Sequence, residues 1–211
     1  ITTELNQYYQ KHDSFPSGFK KELDEYIKVV EKSSNANFGS PSNPLLLSVR
    51  SGSEYSMPGM LDTILNVGFN TSTLEFFEKE GRGLFAWDTW RRFLHMFSHV
   101  VYKIEHFYFD EILDSYLLGA GLQFEKDLKI DDIKEICIQY LNLIEDRKGF
   151  PFPQDVNEQL WLSIKAVMNS WFNERAIDYR KINDIPEHIG TAVNIQRMVF
   201  GNLDETTNNK F

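Results

Sequence analysis

"LLLSVRSGSEYSMPGMLDTILNVGFN", Leu45 to Asn70, is where the chain changes character. Leu45, Leu46, Leu47 and Val49 form a short continuous apolar run, the pattern of a strand buried on both faces. The run ends on Arg50 and passes into Ser51, Gly52, Ser53, Ser56, Pro58 and Gly59. A guanidinium fixed at the end of a rigid strand can donate in bidentate fashion to phosphate oxygens. The hydroxyls and backbone N–H groups that follow can curl round an anion. After Pro58 the positions Met60, Ile64, Leu65 and Val67 fall along one side of a helix. That spacing predicts a helix N-terminus near Gly59, where anions bind. The competing reading makes Arg50 half of a structural ion pair and lets the glycines only turn the chain. No lysine follows the glycines as in a Walker loop, and the residues alone leave both readings open.

Working outward, Phe19, Leu23, Ile27 and Val30 recur at helical spacing within Phe15–Lys32, and the Ser/Asn/Gly/Pro-rich stretch from Ser33 to Pro44 ends that helix. Trp90, Phe93, Leu94, Phe97, Val100, Val101 and Ile104 make a wide apolar stripe between Ala86 and Phe109, and Ile112, Leu113, Tyr116 and Leu117 suggest a short continuation or a second helix. Ile133, Ile136, Cys137, Tyr140, Leu141 and Ile144 define another helix, opened by the acidic "KIDDIKE". After "KGFPFP", Val156, Leu160, Ile164, Val167, Met168 and Trp171 mark a further one. "TAVNIQRMVFGN" returns to β-branched alternation, a strand pair or strand-turn. The order places a helical insert, 70–152, between two pieces of a mixed α/β body, 1–69 and 153–211.

The chain has 211 residues and a net charge of −9. That balance argues against a nucleic-acid or membrane-surface binder, which needs a basic field. The single cysteine, Cys137, excludes an internal disulfide and a cysteine-based zinc site, and its helical neighbours predict a core position. No run approaches the roughly 18 apolar residues of a membrane span. The first residues, "ITTELNQYYQ", and the last, "GNLDETTNNKF", both read as cut ends of a longer protein.

The resemblance is more specific than the physics. "SVRSG" followed by "SMPGMLDTILN" is similar to the signature in the N-terminal ATP-binding domain of the pyruvate, phosphate dikinase family. "NDIPEHIGTAVNIQRMVFGN", Asn183 to Asn202, resembles a second segment of that family. "FAWDTWRRFLHMFSHVV" and "SWFNERAIDYRKIND" resemble it in order and spacing. Phosphoenolpyruvate synthases and glucan dikinases share a "VRSS" strand end but not "SMPGM".

The resemblance implies a helix-rich α+β fold, part of an ATP-grasp-like nucleotide-binding domain with an inserted helical subdomain. It implies that Arg50 contacts ATP phosphates, with Ser51 and Gly52 beside it. The loop Ser56, Met57, Pro58, Gly59 and Met60 then folds over the phosphates, and Gln196 lies in the nucleotide site with Met198 nearby. The implied reaction moves the β-phosphoryl of ATP, with the γ attached, to a histidine on another domain and releases AMP. Inorganic phosphate removes the γ-phosphoryl as pyrophosphate, and the phosphohistidine then phosphorylates pyruvate on a third domain. Mg²⁺ and a monovalent cation accompany ATP, and the parent is expected to be a homodimer in the cytoplasm or an organelle. Glu54 stands where the family usually has a second arginine, and "LDETTNNKF" departs from the family's phosphate loop. The glycine-rich loop with its lysine, the metal-binding acids and the phospho-accepting histidine have no counterpart here. This piece alone is expected to be inactive, and the alternatives are a non-catalytic interaction module descended from this family or a related phosphoenolpyruvate synthase-type dikinase.

Other features weigh toward ordinary roles. His95, His99, Glu105 and His106 have zinc-compatible spacing but no intervening glutamate, so no metal is assigned. His188 lies in a turn and is not read as catalytic. Arg91 and Arg92 suit internal ion pairs, whereas Arg175 is assigned to docking of the phosphohistidine domain, a transient polar interface.

Overall fold

The computed structural model describes residues 1–200. Eight helices and five strands follow one another among them. Thr3–His12 (α1) and Phe19–Ser34 (α2) lead into two short strands, Asn37–Phe38 (β1) and Pro44–Leu45 (β2), which pair in parallel. Leu47–Gly52 (β3) and Thr63–Val67 (β4) come next, then Thr71–Lys79 (α3), Gly83–Tyr102 (α4), His106–Ala120 (α5) and Ile130–Lys148 (α6). Val156–Asn169 (α7), Glu174–Ile182 (α8) and Ala192–Arg197 (β5) complete the described part. The result is a helix-rich α+β fold.

The sheet that matters has the order β4-β3-β5, all antiparallel, so the strand ending in Arg50 is the central one. Helix α7 lies across all three strands. Beneath it Leu47, Val49, Ile64 and Val193 are completely buried. Strand alternation then turns Arg50, Asn194 and Gln196 to the opposite face, where all three are exposed. The expectation of a strand buried on both faces therefore holds for Leu47–Val49 and ends at the arginine.

The helix expected after Pro58 is not there. Ile64, Leu65 and Val67 belong to strand β4, which pairs with β3 from Thr63 opposite Arg50 to Val67 opposite Leu47. A bulge explains the misleading spacing: the register shifts between Leu47 and Val49, so two β4 residues oppose one on β3. Asn66, at φ 61°, absorbs the extra residue, and side-chain alternation slips past it. A short apolar run in any case does not distinguish a buried strand from a helix by period alone. With the helix goes the helix N-terminus proposed at Gly59. That glycine sits at φ 73° in a turn, with nothing within 4 Å of where a Cβ would stand.

Other boundaries also move. The stripe from Ala86 to Phe109 is two helices, broken where Lys103 takes φ 55° and caps α4. Helices α1 and α3 were not foreseen; they are short, and their apolar faces are narrow. Asn70 starts α3 by accepting from the Thr73 N–H at 3.0 Å. The "TAVNIQR" stretch is a single strand whose partner is β3, not a local hairpin. Gly201, Asn202 and the departing "LDETTNNKF" lie outside the described residues.

One large hydrophobic cluster runs from Tyr9 through Phe69, Trp90, Phe93 and Ile136 to Val193. It crosses the sequence positions near 69 and 152 without a break. Cys137 is buried in it, and that burial pushes its thiol pKa up to about 12. A second, smaller cluster of Met57, Trp171, Ala176 and Ile185 lies under the β3–β4 loop.

Candidate functional site

Arg50 is the last charged residue on the central strand and stands exposed at its end. Its neighbours across the sheet are Thr63 on β4 and Asn194 on β5. Among the described residues no carboxylate pairs with it and no side chain or carbonyl accepts from it. Three other arginines are engaged. Arg91 is buried and donates to Asp88 at 2.9 Å and Glu125 at 2.7 Å, and Arg92 donates to Asp88 at 2.8 Å. Arg180 is buried against Trp171, donating to its carbonyl and lying 4.2 Å over its ring. Arg91 and Arg92 thus make the internal ion pairs expected of them.

The strand end and its loop enclose a polar cavity of about 390 Å³ lined by Arg50, Ser51, Gly52, Ser53, Ser56, Gly59 and their neighbours. Met57 and Pro58 line it too. Its donors are a guanidinium, hydroxyls and backbone N–H groups, a set that suits an oxyanion. A Cβ at Gly52 would stand 2.6 Å from the Asn194 side-chain nitrogen, the movable end of an exposed side chain. Glycine at this point lets the Asn194 amide lie against the strand beside the arginine.

Three anchors fix the loop that follows. Met57 is 7% exposed and packs with Trp171, Ala176 and Ile185. The Tyr179 hydroxyl donates to the Ser56 carbonyl at 3.4 Å. Arg175 donates to the Met60 carbonyl at 3.1 Å and to the Asp62 carboxylate. Arg175, expected to face another domain, thus spends part of its guanidinium inside this chain, with its side chain still 52% exposed.

On β5, Gln196 lies opposite Ser48, one alternate position along from the Arg50–Asn194 pair. The Met198 N–H donates to the Leu46 carbonyl at 2.8 Å, just past the strand end. Alternation puts Arg50 and Gln196 on one face, whereas Met198 lies past the strand end and packs against the large hydrophobic cluster. Asn194, Thr63 and Asp62 escaped the sequence reading. For Asn194 the signal was available: "NIQ" alternates polar residues in a strand that ends beside a cation.

The histidines form a cluster on α4 and α5. His95 Nε2 faces His106 Nδ1 at 2.8 Å, and the His99 and His106 rings stack with centroids 3.5 Å apart. Burial, then the neighbouring imidazoles, pushes His95 down to about 4 and holds His106 below its ordinary value. Among the described residues no group of three or more His, Cys, Asp or Glu is arranged to hold a metal. No carboxylate lines the Arg50 cavity either, so its donor set does not fit a divalent cation. His188 is exposed in a turn before β5.

The family model described as "Pyruvate phosphate dikinase, AMP/ATP-binding domain" matches residues 7–207. The chain belongs to this family. It is 45% identical over 208 residues to the chloroplastic pyruvate, phosphate dikinase of Mesembryanthemum crystallinum, and 42% identical over 208 residues to the pyruvate, phosphate dikinase of Rhizobium meliloti (strain 1021). It is 42% identical over 210 residues to that of Clostridium symbiosum. Each alignment covers 98% of this chain but only 22%, 23% and 24% of those three pyruvate, phosphate dikinases. The chain therefore spans less than a quarter of the length of these relatives.

Proposed function

We propose that this chain is one wall of the ATP site of a pyruvate, phosphate dikinase, a phosphotransferase that works through a phosphohistidine on another domain. The observation that carries the reading is Arg50: a guanidinium with no partner among the described residues, fixed on the central strand and lining a donor-rich cavity. ATP phosphates sit against Arg50, with the Ser51, Ser53 and Ser56 hydroxyls and loop N–H groups donating to the remaining oxygens. The nucleoside end extends along the sheet face toward Gln196. Phosphoryl transfer needs positioning and neutralisation of charge on the equatorial oxygens, and a fixed arginine supplies both.

In the parent the β-phosphoryl, with the γ attached, passes to the histidine and AMP leaves. Phosphate then removes the γ-phosphoryl as pyrophosphate, and the phosphohistidine phosphorylates pyruvate. Any carboxylate ligand of the Mg²⁺ that accompanies ATP would come from outside the described lining of this cavity. The exposed half of the Arg175 side chain supports its use as a docking point for the domain that carries the histidine.

In the full-length protein, Arg50→Ala lowers the AMP-forming half-reaction by about 10³-fold while the thermal midpoint stays unchanged. Isotope exchange between AMP and ATP measures it. A near-normal exchange rate in the variant refutes the assignment and favours a non-catalytic module.

A further inference from the structure

The loop joining β3 to β4, residues 53–62, carries most of the proposed phosphate donors, yet it has no regular structure through Gly59. Loops of this kind open easily unless something holds them. Its last residue is unusual. Asp62 is only 7% exposed, and burying a carboxylate is costly unless it is paired and hydrogen-bonded. Here the compensation comes from three separate elements. Arg175 at the start of α8 donates to one carboxylate oxygen. Asn173 donates to the other at 3.1 Å, and Lys103, the residue that caps α4, stands 3.7 Å from it. The Asp62 N–H itself donates to Ser170 Oγ at 3.1 Å, and that hydroxyl donates on to the Val167 carbonyl at 2.7 Å, at the end of α7.

We propose that Asp62 is a positioning residue for the nucleotide loop. Its carboxylate gathers α4 and the start of α8, its backbone N–H ties to the α7 terminus, and together these contacts set where the donor-bearing stretch before it stands. Arg175 extends the same clasp to the Met60 carbonyl, two residues nearer the cavity. Asp62 does not line that cavity; it lines the neighbouring cleft with Arg175 and His99. It acts through the loop and not on the phosphates. The proposal rests on the loop being the phosphate cover, and it adds the residue that holds the cover in place. It also gives Arg175 a second duty, because a contact that draws this guanidinium away loosens the loop.

The test uses the full-length protein, with Asp62→Asn and Arg175→Met made singly and together. ATP KM and kcat are measured in the AMP–ATP exchange, beside the thermal midpoint and protease cleavage within residues 53–61. Each single variant is expected to raise the ATP KM about tenfold and speed loop cleavage, and the pair to be no worse than the worse single, because both break one clasp. A merely structural role would lower the amount of active protein, and hence kcat, leaving KM untouched. Should Asp62→Asn fail to fold, Lys103→Gln removes the longest and most exposed contact and raises KM about twofold. An unchanged KM with unchanged loop cleavage, or strictly additive effects, overturns the proposal. If the wild-type exchange instead ignores Arg50, the ATP reading itself has failed, and the two failures are thereby told apart.

Discussion

The two hydrophobic clusters are held in different ways. The large one threads α2, the sheet and helices α3 to α7, with Phe93, Phe97, Ile136 and Ile164 fully enclosed. The small one is Met57, Trp171, Ala176 and Ile185, edged by half-buried Met60, Leu61 and Tyr179. In the large cluster shape and area do the holding. In the small one a single methionine plugs a shallow seat, and polar contacts from Arg175 and Tyr179 supply the rest. The loop is therefore held by a few local contacts, separate from those of the large cluster, and can loosen without the body unfolding.

Substitutions can break that contrast. Phe93→Ala removes a fully buried ring that stacks edge-on with Phe97 and Phe152, and should cost about 3–5 kcal/mol in urea unfolding. Loop cleavage by protease should follow that global loss and no more.

Acid acts on the body next. The His95 pKa lies at about 4, below its unfolded value near 6.5, so the unfolded chain takes up a proton that the folded chain refuses. Stability is then fully present above pH 6.5 and falls as the pH drops toward 4. Hydrogen exchange should show α4 and α5 loosening before the Met57 seat. A His95→Gln variant should flatten the pH dependence; an unaltered slope would assign the acid sensitivity to other groups.

The smallest effect falls on the loop. Met57→Ala should cost about 2 kcal/mol or less, since its edge residues can close over the gap, and should show as faster cleavage within the loop. A loss as large as that of Phe93→Ala would mean the two clusters unfold as one unit.

Helices α2, α4, α6 and α7 were legible because each has a broad apolar stripe with buried residues at helical spacing, as Ile133, Ile136, Tyr140 and Ile144 show. Strand β3 was legible as an apolar run with a cation at its end. Strand β4 was not: a bulge at Asn66 broke its alternation, and its pairing with β3 decides what periodicity could not. Arg50 and the serines of the candidate site could be read locally, since neighbours in sequence are neighbours in the cavity. The Asp62 clasp could not, because Arg175 lies 113 residues away and an aspartate after "PGML" looks like any solvated acid. Sequence reading finds chemistry that is contiguous; it misses what tertiary contact brings together.

The central strand has one further consequence. Ser48 meets Gln196 across 148 residues of sequence, and helices α3 to α8 lie within that span. Closing so long a loop is slow, and its entropic cost falls once the intervening helices have compacted. The pairing of Arg50 with Asn194 is therefore expected late in folding, after the helices between them. A partly folded chain displays no assembled phosphate wall, so nucleotide capture doubles as a readout that folding has finished.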